Sequence, residues 1–203
     1  MSLSAQGTHR CESRREGAAR GTVVSMKLAR TRPDNPYDHM PVLPEFSVTS
    51  TDLRDGEHMV TTFAKAGGDN LSPQLSWHGF PPDTQSFAVA CYDPDAPNVA
   101  GWWHWLVVDL PLSCTSLPRG AGAPDSIALP AGARQFRNDS GTIGYSGAAP
   151  PAGDHDHRYI FTVFALDAED IGVPADASAA VCAFMLNAHA LARGHLTALF
   201  RVE

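Results

Sequence analysis

The sequence predicts a mainly β protein, an antiparallel β-sandwich with one helix close to the C-terminus. Three observations carry that prediction. Short runs rich in Val, Phe, Trp and Tyr recur between turns built from Gly, Pro, Asp and Asn. Two of the strongest runs, Ser86–Tyr92 and Trp102–Leu110, are joined by a short proline-bearing loop, which suits antiparallel neighbours. A single stretch, starting near Asp176 or Ser178, has the cap, the apolar spacing and the glycine stop of a helix.

A chain of 203 residues matches one domain whose core needs no disulfide staples. Charge divides it. Residues 1–32 hold seven basic groups against two acidic ones, while the whole chain carries −7, so residues 33–203 form a strongly acidic body. That body is a poor match for nucleic acid or an anionic membrane surface. The basic segment lacks the apolar centre of a secretory signal and is expected to be a disordered tail, with Met26 a second candidate start. No apolar run approaches the roughly 18 residues that span a bilayer, so no membrane insertion and a cytoplasmic location are expected. Cys11, Cys91, Cys114 and Cys182 form no regular framework, and Cys91 and Cys182 have the setting of small core residues.

Taken in order, Pro33–Pro44 is an extended lead-in with four prolines. Phe46–Ser50 and His58–Ala64 are strand-like runs on either side of the turn Arg54-Asp55-Gly56. Gln74–Trp77 is a short strand. Ser86–Tyr92 ends at Asp93-Pro94-Asp95-Ala96-Pro97, where the prolines stop the strand and pin both aspartates in a loop. Trp102–Leu110 has His104 near its start. Leu112–Pro130 is a long Ser/Gly/Pro connection, and Ala133–Arg137 a short strand before the turn Asn138-Asp139-Ser140-Gly141.

Gly144–Asp167 then changes character halfway. Its first part is Gly, Pro, Ala and short polar residues, a loop of fixed shape. Its second part, Tyr159–Leu166, is a strand buried on both faces. His155, His157 and Arg158 stand at the junction. Asp167–Val173 suits a single helical turn. In the late helix Val181, Phe184, Ala188 and Leu191 share one face and Gly194 ends it; His195–Glu203 alternates as a closing strand.

Ionisable groups therefore gather at three strand ends: Asp93 with Asp95, His104, and His155 with His157 and Arg158. If those ends adjoin, they form a pocket with aromatic walls from Trp102, Trp103 and Tyr159. Its imidazoles and carboxylates suit zinc or iron, but His-x-His on a loop is a weak metal signal and no metal is expected. Asp93 and His104 could act on a water molecule as an acid–base pair, yet no G-x-S-x-G or cysteine signature fixes a reaction. An anion site is the most economical use, with charged histidine and loop amides near Gly147 and Gly153 as donors. Each group also has a purely structural alternative. His104 could be a packing histidine between Trp103 and Trp105, the aspartates an Asx-turn before proline, and Arg158 an ion-pair former.

Taken together, these motifs resemble the phosphatidylethanolamine-binding protein family, in its bacterial, Raf-kinase-inhibitor-like branch. The resemblance rests on Asp93-Pro94-Asp95-Ala96-Pro97, His104–Val108 (HWLVV), Gly144–Phe161 (GYSGAAPPAGDHDHRYIF), Asn70–Trp77 (NLSPQLSW), Arg137–Asp139 and the NAHALARG helix, and spans roughly Phe46–Val202. It implies a sandwich of antiparallel sheets with a small end pocket for phosphate-like, carboxylate or phosphorylated groups. The family's pocket falls on Asp93, His104, Pro151, His157 and Tyr159, with Asp95 and Trp102 beside it. It implies a possible protein partner of the kinase or peptidase kind docking at Ala148–Asp156 and a possible homodimer; no cofactor is expected. Ala148 stands where the family's loop usually has proline, which leaves the loop's backbone more freedom.

Overall fold

The computed structural model describes residues 29–203, arranged as two antiparallel sheets and one α-helix. Most of the tail expected at residues 1–32 thus lies outside the described residues; residues 29–32 lie within them. Strands are β1 (Ser47–Thr49), β2 (Leu75–His78), β3 (Ser86–Asp93), β4 (Trp102–Pro111), β5 (Ser116–Leu117), β6 (Arg134–Gln135), β7 (His157–Leu166) and β8 (Ala190–Phe200); the helix α1 is Ala179–His189. The large sheet has the order β6-β4-β3-β7-β8 and the small one β1-β2-β5.

Side-chain alternation explains why β3 and β7 are apolar along their centres and buried along almost their whole length. Phe87, Val89 and Cys91 of β3, with Tyr159, Phe161 and Val163 of β7, join the core that includes Leu75 and Trp77 of the small sheet. Ala88 and Ala90, with Phe164 and Leu166, face the other way and pack with Ala179, Cys182 and Leu186 of α1. A strand covered on both faces needs no polar alternation.

Several expectations change. His58–Ala64 is not a strand: His58 makes one bridge to Leu199, and Thr61–Phe63 turns as a 3-10 helix that brings Phe63 into the core. Asp167–Val173 forms no helical turn; Gly172 has φ of 68° and Ile171 and Val173 anchor the segment beneath α1. The connection Leu112–Pro130 contains β5, paired with β2.

The helix differs most. It begins after Ser178, whose hydroxyl accepts the Val181 amide as an N-cap, but it stops at His189 and not at Gly194. Residues 190–193 have good helical propensity, yet ten pairings of β8 with β7 outweigh it. The buried stripe of α1 is Ala179, Cys182 and Leu186, so the face of Val181 and Phe184 points to solvent, with Phe184 72% exposed. Gly194 is a mid-strand glycine instead: a Cβ there would lie 2.4 Å from the Phe46 carbonyl oxygen, so β1's lead-in crosses β8 where no side chain intervenes.

Candidate functional site

Antiparallel pairing of β3 with both neighbours brings three chain segments to one end of the large sheet. The end of β3 lies beside the beginnings of β4 and β7, with Asp93 opposite Trp102 and Tyr92 opposite Ile160. A β-bulge completes the arrangement. Cys91 pairs with Trp105 but Tyr92 pairs with Trp103, so β4 carries one extra residue there. Trp103 packs on the helix side, whereas His104 turns to the same side as Trp105 and meets Tyr159 edge-on at 5.0 Å. Such bulges re-aim side chains near functional sites.

These ends enclose a cavity of about 420 Å³, lined by Asp93, Trp102, His104, Pro151, His157 and Tyr159 from the expected set. Asp95 is not among its walls. Its carboxylate is fully buried against Arg158, whose Nε and Nη2 donate at 2.7 and 2.9 Å and whose backbone N–H donates at 2.9 Å. Burial opposes ionisation of Asp95, but the Arg158 hydrogen bonds prevail and hold its carboxyl below the usual range. His155 also stays outside the cavity, close to Asp154. The walls further include Lys65, Asn98 and Ser140, which sequence reasoning missed: each comes from a separate polar loop, and none has a local pattern that marks it.

Asp93 is engaged at both oxygens. Oδ1 accepts the Asp95 amide at 2.7 Å, the Asx-turn that the prolines suggest, and Oδ2 accepts His157 Nδ1 at 2.7 Å. His157 Nε2 meets Asp154 Oδ2 at 3.1 Å. Burial works against the charged form of His157, but Asp93 and Asp154 outweigh it and raise its pKa above the ordinary value. His157 is thus an imidazolium held between two carboxylates, with neither ring nitrogen open to the cavity. Asp154 was missed as a partner because only the fold shows that it reaches back across His155 to the His157 ring.

His104 is the opposite case. Burial lowers its pKa more than the Ser146 carbonyl and Asp93 raise it. Its Nδ1 lies 2.5 Å from the Ser146 carbonyl oxygen, an acceptor, so Nδ1 carries the proton and neutral His104 presents a lone pair at Nε2. That nitrogen stands 4.0 Å from Asp93 Oδ2, beyond a hydrogen bond. The Tyr159 hydroxyl is buried and has no hydrogen-bond partner, and burial raises the phenol's pKa far above normal, so it remains a donor.

The loop wall is tightly held. The Ser146 amide donates to the His104 carbonyl at 2.9 Å, the Gly147 amide to Asn70 Oδ1 at 2.6 Å, and the Tyr145 hydroxyl to the Phe63 carbonyl at 2.7 Å. Ala148 is buried, and its carbonyl accepts both the Lys65 and Ala66 amides. The freedom expected of alanine at this position is removed by these cross-loop bonds.

A two-sheet β protein with an Asp/His/Tyr pocket at the end of its central strands is the class that this geometry defines. The chain belongs to the phosphatidylethanolamine-binding protein family, whose model matches residues 49–201. It is 46% identical to the UPF0098 protein YbcL of Escherichia coli K12 over 162 residues, covering 78% of this chain and 88% of that protein. It is 50% identical to YbhB of the same organism over 155 residues, covering 74% and 97%. The crystal structure of E. coli YbcL, described as a new member of the mammalian PEBP family, is similar with TM-score 0.76 at 45% identity, over 78% of this chain and 99% of that one. The homolog CT736 from Chlamydia trachomatis has TM-score 0.66 at 25% identity, covering 78% and 99%. No helix among the described residues is long and apolar enough to cross a membrane.

Proposed function

We propose that the cavity binds a small oxyanion, such as phosphate, a carboxylate or a phosphorylated head group. The observation that carries this reading is Tyr159: a buried hydroxyl with no partner, in the wall of a polar-ended cavity, is a donor waiting for an acceptor. Lys65 supplies positive charge at the rim, and Trp102, Pro150 and Pro151 supply apolar surface for an attached carbon chain. His104 sets the proton requirement. Its open Nε2 is an acceptor, so it pairs directly with an oxyanion that brings its own proton and must take one up to hold a fully ionised anion. Asp93 and His157 hold the floor rather than reach for the ligand, since their polar atoms are already engaged. An Asp93–His104 acid–base pair has weaker support for the same reason.

Calorimetry of the full chain with inorganic phosphate, phosphoethanolamine and sulfate tests this proposal. Binding is expected for all three, with proton uptake accompanying sulfate and absent in His104→Gln. Wild-type protein that binds none of them, or binding that His104→Ala leaves unchanged, would overturn it.

A further inference from the structure

Residues 30–33, which precede the family-matched region, lie against the back of the pocket. Arg30 Nη2 donates to Asp154 Oδ2 at 2.8 Å, the same oxygen that faces His157, and also to the backbone carbonyl of Asp95. Arg32 Nη2 donates to the Asp156 carbonyl at 3.2 Å, and its Nε lies 3.4 Å from Asp95 Oδ1. The Pro33 carbonyl accepts Arg158 Nη2 at 2.6 Å. All these partners belong to the loop after β3, to the lead-in to β7 or, for Arg158, to the start of β7 itself. Those two segments adjoin the strand ends that carry Asp93 and His157 of the cavity, and they are joined there through Asp93–His157 and Asp95–Arg158.

We propose that Arg30–Pro33 is a strap that completes the pocket from behind, with Arg30 a positioning residue that clamps Asp154 against His157. Without it, Asp154 would be a buried carboxylate sharing one imidazolium with Asp93. Two carboxylates around one cation leave the site a net negative charge, which an incoming anion would meet; the Arg30 guanidinium offsets it. The segment therefore tunes anion affinity without touching the ligand. A charged strap outside the family-matched region also gives the chain a means of control: displacing or cleaving it alters the pocket while the sandwich stays folded. The groups facing His157 are Asp93 from β3, His104 from β4, Asp154 and His155 from its own loop, and Tyr159 beside it; Arg30 acts on them through Asp154.

The affinity arm of this proposal rests on the anion-binding function; the structural arm does not. In full-length protein, Arg30→Gln is expected to weaken inorganic phosphate binding about tenfold, as loss of one charge-assisted contact behind the site. Arg30→Lys, which keeps the charge but loses the fork, should recover part of it. In the same variants the imidazole of His157 is followed by NMR titration. Removing the guanidinium leaves Asp154 free to hold the His157 proton more strongly, so its titration should move to higher pH in Arg30→Gln and return toward wild type in Arg30→Lys. Phosphate binding and a His157 titration both unchanged in Arg30→Gln would overturn the strap and leave the anion site standing. Wild-type protein that binds no phosphate, with a His157 titration that moves in Arg30→Gln, would overturn the anion site and leave the strap standing.

Discussion

His157 and Asp93 stand 64 residues apart in sequence, yet Nδ1 of one lies 2.7 Å from Oδ2 of the other, both nearly excluded from solvent. Asp154 closes on the second ring nitrogen at 3.1 Å. The pair ties the end of β3 to the start of β7 and converts two strand ends into one wall. Its removal should therefore register in stability before it registers in chemistry.

His157→Gln leaves Asp93 and Asp154 buried with no cation between them. The expected loss is about 3 kcal/mol of unfolding free energy, typical of breaking a buried ion pair from one side. Urea titration of the variant against wild type measures it. A midpoint within error of wild type would mean that the two carboxylates find other partners.

Because the folded state raises the His157 pKa, its contribution is fully present below the ordinary histidine value and declines as pH rises through the raised one. His195 has the opposite sign. Burial, with the nearby Arg193 charge, pushes its pKa from 6.5 down to about 4, and its Nδ1 lies 2.9 Å from the Thr162 hydroxyl. The unfolded chain takes up that proton first, so stability is complete above pH 6.5 and falls as pH drops toward 4, by on the order of 3 kcal/mol. Denaturation midpoints collected across this range should slope downward with acid in wild type and lose the His195 share of that slope in His195→Gln, the share of buried His104 remaining.

Tyr159→Phe separates stability from binding. Deleting a buried hydroxyl that lacks a partner removes a desolvation penalty of about 1–2 kcal/mol, so the unliganded variant should unfold at equal or higher denaturant. Anion affinity should fall instead. A variant that loses stability would show that the hydroxyl is bonded in the free protein.

Gly194→Ala examines the crossing of β8 by the segment before β1. The new methyl would sit 2.4 Å from the Phe46 carbonyl oxygen and 2.6 Å from Val48 Cγ2, and backbone must shift to admit it. We expect a cost of about 2–3 kcal/mol from overpacking, read as a lowered thermal midpoint. The neighbouring Ala192→Gly substitution also weakens the strand, but through backbone entropy and a lost contact.

Much of the fold was legible in the amino-acid order. Asp93-Pro94-Asp95-Ala96-Pro97 marks the end of β3 because prolines cannot continue a ladder, and Tyr159–Leu166 marks a doubly covered strand because it lacks polar alternation. The seven expected site residues converge on one end of the sheet, six of them as cavity walls. Local pattern misled where tertiary pairing competes with propensity. The stretch 190–193 reads as helix and folds as strand, since its partner β7 is invisible to a local window. The stripe of Val181 and Phe184 reads as core and faces solvent, because two apolar faces are available and only packing chooses between them.

The site divides along the same line. Which residue types stand at the strand ends follows from the chain, and so does the turn chemistry that presents them. Which atoms remain open does not. Asp95 and His157 offer the same polar groups in the sequence as Asp93 and His104. Yet Arg158, brought in by the meeting of β3 and β7, consumes Asp95; Asp93 across that meeting and Asp154 three residues upstream close both His157 nitrogens, which engages Asp93 as well; and a one-residue bulge turns His104 inward. Hydrogen-bond partners across such distances are set by register and strand order, and these are properties of the assembled sheet rather than of any segment in it.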